Sequence, residues 1–122
     1  MSDGSDSTVT VIVTDLFADW YGSITDAEAE AVNVVVRALE VMGTSLGSPV
    51  SSAIKGSSIA LRELRATADK SELRVFYAFD PARDAVLIVG GDKTNDKRFY
   101  TRMIAIAEKE WSEYLADNFP TK

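Results

Sequence analysis

A chain of 122 residues has room for one compact hydrophobic core. With no cysteine and no histidine it lacks a disulfide framework, the usual zinc sites and any Ser-His or Cys-His couple, so its chemistry falls to Lys, Arg, Tyr, Asp, Glu, Ser or Thr. A formal net charge of −6 repels nucleic acid at long range, and a polyanion-binding role therefore requires a local exception.

The exception is present. From Lys55 to Arg102, ten cations face seven acids for a net +3, whereas the remainder carries −9. The opening "MSDGSDST" is acidic and polar, without the pattern of a signal peptide, and residues 1–7 read as a disordered tail ahead of a single domain over 8–118. No apolar run approaches membrane-spanning length, so the expected location is cytoplasmic, with no membrane partner.

Residues 8–14, "TVTVIVT", place Val9, Val11 and Val13 at period two and predict a strand. "DLFADWYGS" then sets Leu16, Phe17 and Trp20 at one-turn spacing, a short helix. Thr25 opens a T-x-x-E capping box with Glu28, and Val32, Val35, Val36, Leu39 and Met42 follow at helical spacing until Gly43, predicting a helix over 26–42. The Gly-, Ser- and Pro-rich stretch 43–58 reads as a connecting loop. Three strands are expected at 59–66, 72–79 and 85–90. They are joined by "TADKS" and "DPARD" as an antiparallel meander, and a last helix over 99–116 carries Ile104, Ala107, Trp111 and Leu115 on one face. The order β-α-α-β-β-β-α predicts an α+β fold with an antiparallel sheet and helices packed on one face. Its other face is expected to stay free for a ligand.

Two nucleotide- and ion-binding patterns fail. "KGSS" at Lys55 reverses the order a phosphate-binding loop requires, and "DKTND" at 92–96 lacks the glycine and distal glutamate of a calcium loop. No metal and no cofactor is expected. Arg65 and Arg74 flank one hairpin loop and should meet across the ladder, where like charges repel unless a counter-anion intervenes; Glu63 and Glu72 are candidates for that role. "GGDKTNDKRFY" leads from the last strand into the last helix and is expected to bring Lys93, Lys97 and Tyr100 to the same end of the sheet. Such a group of guanidiniums, lysines and a phenol suits a phosphodiester. The competing interpretation is a solvated loop beside a surface ion-pair network.

The strings "LRELR" and "SELRVFYAFDPARDAVLIVGGDKTNDKRFYTRMIAIAEKEWSEYL" resemble the phage-derived HigB-like branch of the RelE/ParE toxin superfamily, over about residues 9–116 and most specifically over 61–111. The resemblance implies a RelE-like fold and a type II toxin-antitoxin toxin. It further implies an mRNA endoribonuclease that needs no metal, usually acts at the ribosome, and is silenced by a helix-turn-helix, HigA-like antitoxin. Arg65, Arg74, Lys93 and Tyr100 match the family's catalytic positions; Lys55, Arg62, Lys97, Arg98 and Arg102 are candidates for RNA binding. Arg65 and Arg74 would stabilise the phosphorane while Tyr100 or Lys93 moves protons, which requires the neighbouring cations or desolvation to lower an ordinary pKa near ~10. Rival expectations from the same superfamily are a non-catalytic interaction protein and a ParE-like gyrase poison.

Overall fold

The computed structural model describes residues 8–121, and the 1–7 segment read as a tail lies outside the described residues. The elements are β1 (Val11–Val13), α1 (Asp15–Tyr21), α2 (Asp26–Met42), a 3-10 turn at Gly43–Ser45, β2 (Ser51–Ala53), β3 (Arg62–Ala68), β4 (Ser71–Phe79), β5 (Ala85–Asp92) and α3 (Phe99–Asn118). Spatially the sheet runs β1-β5-β4-β3-β2, antiparallel throughout except for the parallel β1–β5 pair. This is the α+β, RelE-like architecture expected, with one additional strand, β2, inside the stretch read as a loop.

The local signals act as the sequence predicts in α2. The Thr25 hydroxyl accepts from the Glu28 amide at 3.1 Å and the Glu28 carboxylate accepts from the Thr25 amide at 2.9 Å, closing a capping box. Gly43, at φ 56°, ends the helix in a conformation that side chains rarely adopt. Thr14 caps α1 by accepting from the Phe17 amide, and its hydroxyl donates to the Ile88 carbonyl at 2.7 Å, tying α1 to β5. In the β4–β5 turn the buried Asp80 carboxylate accepts from the amides of Ala82 and Asp84 and from the Tyr114 hydroxyl. Burial and that bond push the Tyr114 phenol up to about 12.

One expectation needs correction: the helices do not share a face. Leu64, Leu73, Val75 and Tyr77 pack with Phe17 of α1 and Val32, Val35 and Leu39 of α2, whereas Phe76, Ala78, Val86 and Ile88 pack with Phe99, Met103, Ala107 and Trp111 of α3. The cause is visible in β4, which from Leu73 to Phe79 is apolar at both parities apart from Arg74, and a strand of that kind is buried on both sides. β5 runs past its expected end at Gly90, through Gly91 to Asp92. A bulge at Ile88 shifts the register between Phe76 and Tyr77, and beyond it the consecutive glycines pair with Val75 and Arg74 and so face opposite layers. A Cβ on Gly90 would stand 2.3 Å from the Trp20 ring and one on Gly91 2.9 Å from Phe99. Close approach of an aromatic on each side demands glycine there.

Candidate active site

α3 covers β4 and β5 on its face but leaves β2 and β3 open beside its N-terminus. The uncovered part is a cleft of about 440 Å³ whose lining includes Ser52, Lys55, Glu63, Arg65 and Tyr100. Arg65 and Arg74 are paired directly across the β3–β4 ladder, as the hairpin spacing predicts. Between them stands Glu63, only 4% exposed. Its Oε2 lies 3.2 Å from Arg65 Nη2 and 3.3 Å from Arg65 Nε, and its Oε1 lies 3.7 Å from Arg74 Nε. The Tyr100 hydroxyl donates to the same Oε1 at 2.7 Å. Ser52 on β2 accepts from Arg65 Nη2 at 2.7 Å and holds the guanidinium against the cleft wall.

Arg74 is 8% exposed; its Nη1 donates to the Leu73 carbonyl at 2.9 Å, while its Nε is buried with no hydrogen-bond partner among the described residues. The charge of this buried guanidinium is balanced by Glu63, whose Oε1 stands 3.7 Å from Nε, beyond hydrogen-bond range. Lys93 joins from the rim. Its Nζ is 3.6 Å from Glu72 Oε1, which is 3.8 Å from Arg74 Nη2.

Tyr100 sits half-buried, stacked on Phe76 at 6.0 Å between ring centroids and edge-on to Phe99. Its phenol is pushed above the ordinary tyrosine range, first by desolvation and then by the bond to Glu63, with Arg74 opposing. The lowering expected from neighbouring cations is therefore reversed, and Tyr100 is a holder of its proton rather than a base. Lys97 and Arg98 are exposed in the turn before α3, and Arg102 pairs with Asp96 at 2.8 Å; no side-chain hydrogen bond or ion pair among the described residues joins the three to Tyr100. Lys55 is exposed at the mouth of the cleft. Arg62 does not belong to the cluster. One residue out of phase with Glu63 and Arg65, it points to the α2 side, where Nε and Nη2 donate to Ser51 and Nε also to Tyr77.

Two residues at the centre, Glu63 and Ser52, are not evident as site residues in the sequence. Glu63 was legible only as a counter-charge, although a carboxylate at L-R-E-L-R parity with Arg65 carries the signal for a shared face. Ser52 was hidden in a segment whose three-residue strand shows no apolar alternation. No group of three or more acidic side chains placed to hold a metal ion occurs among the described residues.

A carboxylate, two guanidiniums and a phenol at an open cleft of an α+β sheet are groups able to exchange protons and to hold an anion. Residues 19–112 match the model of the family described as Phage derived protein Gp49-like (DUF891), and the chain belongs to that family. It is 35% identical over 99 residues to "Putative toxin HigB3" of Mycobacterium tuberculosis (strain ATCC 25618 / H37Rv), covering 80% of this chain and 85% of the relative. It is 32% identical over 106 residues to "Putative toxin HigB2" of the same organism, covering 84% of this chain but only 53% of that relative, so the chain spans about half its length.

Proposed function

We propose that this chain is the toxin of a type II toxin-antitoxin system, held silent by an antitoxin of the helix-turn-helix, HigA-like kind, and that it arrests translation by cutting mRNA at the ribosome. The relatives named as HigB toxins support the first part. The observation that carries the second is the cleft lined by Glu63, Arg65 and Tyr100, in which Glu63 meets Arg65 Nη2 at 3.2 Å and the Tyr100 hydroxyl at 2.7 Å, with Arg74 buried behind it.

The mechanism follows from the proton inventory. Glu63 takes the proton of an RNA 2′-hydroxyl as that oxygen attacks the adjacent phosphorus, and Arg65 and Arg74 stabilise the charge of the phosphorane. As the phosphorus–oxygen bond to the 5′-oxygen breaks, Tyr100 gives that oxygen its proton and recovers one from Glu63 through their 2.7 Å bond. The products are a 2′,3′-cyclic phosphate and a 5′-hydroxyl, with no net proton change. Lys93 and Lys55 hold the flanking phosphates.

Induction in a bacterium, with growth followed and new RNA 5′ ends mapped, tests this. The parent is expected to arrest growth and generate 5′-hydroxyl ends; Glu63→Gln and Arg74→Lys, verified as soluble, are expected to do neither. Arrest without new ends, accompanied by trapped gyrase–DNA complexes, refutes the nuclease in favour of a gyrase poison. Unimpaired growth at verified soluble expression refutes the toxin.

A further inference from the structure

β1 is an edge strand, and its outer side has an unusual setting. The Ala85 amide donates to the Thr10 carbonyl and the Thr14 amide to the Leu87 carbonyl, so the even residues of this segment face β5. By alternation, the amides and carbonyls of Val11 and Val13 point to the open edge. Val13 is 49% exposed. A groove of about 310 Å³ lies along this edge on the α1–α2 side, lined chiefly by apolar side chains including Val11, Val13, Phe17, Val32 and Val36. On the α3 side of the same strand lies a second groove of about 340 Å³, bordered by Asp15, Glu110, Glu113 and Asp117. Lys109 offsets part of this charge by pairing with Glu113 at 3.3 Å. Glu110 is nonetheless pushed above the usual carboxylate range, first by desolvation and then by Glu113.

We propose that the β1 edge docks an extended segment of a partner protein in which apolar and basic residues alternate. The pleat dictates this pattern. A strand added beside Val11–Val13 sends successive side chains to opposite faces, so one set enters the apolar groove under α1 and α2 and the other meets the carboxylates along α3. Backbone bonds to Val11 and Val13 supply the attachment, and the two unlike grooves supply the specificity. A second copy of this chain is the poorer occupant, because pairing two β1 edges would bring two acidic rims together between molecules of net charge −6. This surface is separate from the Glu63 cleft and does not depend on the nuclease proposal.

The test uses the full chain, isotope-labelled for amide NMR, and three acetylated seven-residue peptides: valine and lysine alternating, the same residues with the valines in one block, and valine and glutamate alternating. The alternating valine–lysine peptide is expected to bind at least tenfold more tightly than either control and to shift the Val11 and Val13 amides. Val13→Pro removes an open-edge donor while sparing the β5 bonds, and is expected to abolish binding. The pair Glu113→Lys and Asp117→Lys lies on exposed positions of α3, where loss of the surface pair with Lys109 costs little, and is expected to reverse the preference between the lysine and glutamate peptides. Equal affinity for alternating and blocked peptides, an unchanged preference after charge reversal, shifts confined to other amides, or self-association through β1 would each overturn the proposal.

Discussion

Replacing Glu63 by glutamine tests whether the carboxylate is the keystone of the cleft. The side chain is 4% exposed and its two oxygens meet the Tyr100 hydroxyl at 2.7 Å, Arg65 nitrogens at 3.2 and 3.3 Å, the Ser52 hydroxyl at 3.4 Å and Arg74 Nε at 3.7 Å. Glutamine keeps the volume but turns an amide nitrogen toward one set of these donors and removes the charge that separates Arg65 from Arg74. Breaking a buried pair by removing one partner costs about 3–5 kcal/mol. Arg65 is 38% exposed at its side chain, so solvent recovers part of the loss and about 2–3 kcal/mol is expected. At this chain length that corresponds to a Tm lowered by roughly 10 °C. Urea melts at neutral pH, with and without inorganic phosphate, check it. Phosphate is expected to stabilise the Gln variant more than the parent, because the anion takes the place of the missing carboxylate between the guanidiniums. A Gln variant within about 0.5 kcal/mol of the parent, below the ~1 kcal/mol typical of a point substitution, or one indifferent to phosphate, would refute the reasoning.

Tyr100→Phe is expected to cost about 1–2 kcal/mol in urea melts, since it removes a charge-assisted bond from a half-buried ring while leaving the stack on Phe76. Because folding raises the Tyr100 phenol, the stability tied to its proton is fully present below the ordinary range near ~10 and is lost as pH climbs through the raised value; the Phe variant should therefore show a shallower decline as pH rises above ~10. The share due to Tyr114 persists in that variant. Gly90→Ala drives a methyl into the Trp20 ring and is expected to destabilise by about 1–3 kcal/mol, whereas Gly47→Ala, with nothing within 4 Å, is expected to change stability by under about 0.5 kcal/mol in the same melts. Thr25→Ala opens the capping box of α2 and is expected to lower stability by about 1 kcal/mol with an unchanged denaturant slope.

What the chain could say about itself was local. The α2 boundaries follow from Thr25, Glu28 and Gly43, each of which satisfies or terminates backbone groups within one turn, and the Arg65–Arg74 pairing follows from the tight turn between β3 and β4 that fixes their register. The resemblance carried by residues 61–111 also lies in the primary sequence.

Three things were decided only in three dimensions. β2 has three residues and no apolar alternation, and it exists because β3 offers an edge for Ser51–Ala53 to pair with. The environment of Tyr100 does not follow from its neighbours in sequence, because Lys97, Arg98 and Arg102 are near along the chain whereas Glu63, Arg74 and Phe76 are near in space. That difference turns a phenol expected to lose its proton into one that keeps it. The placement of α3 opposite α2 rests on β4 being apolar at both parities, a pattern that demands cover on two faces without naming what supplies it. Short-range hydrogen bonds and turn geometry are written residue by residue, whereas burial and the electrostatic field at a side chain are sums over contacts that the fold alone assembles.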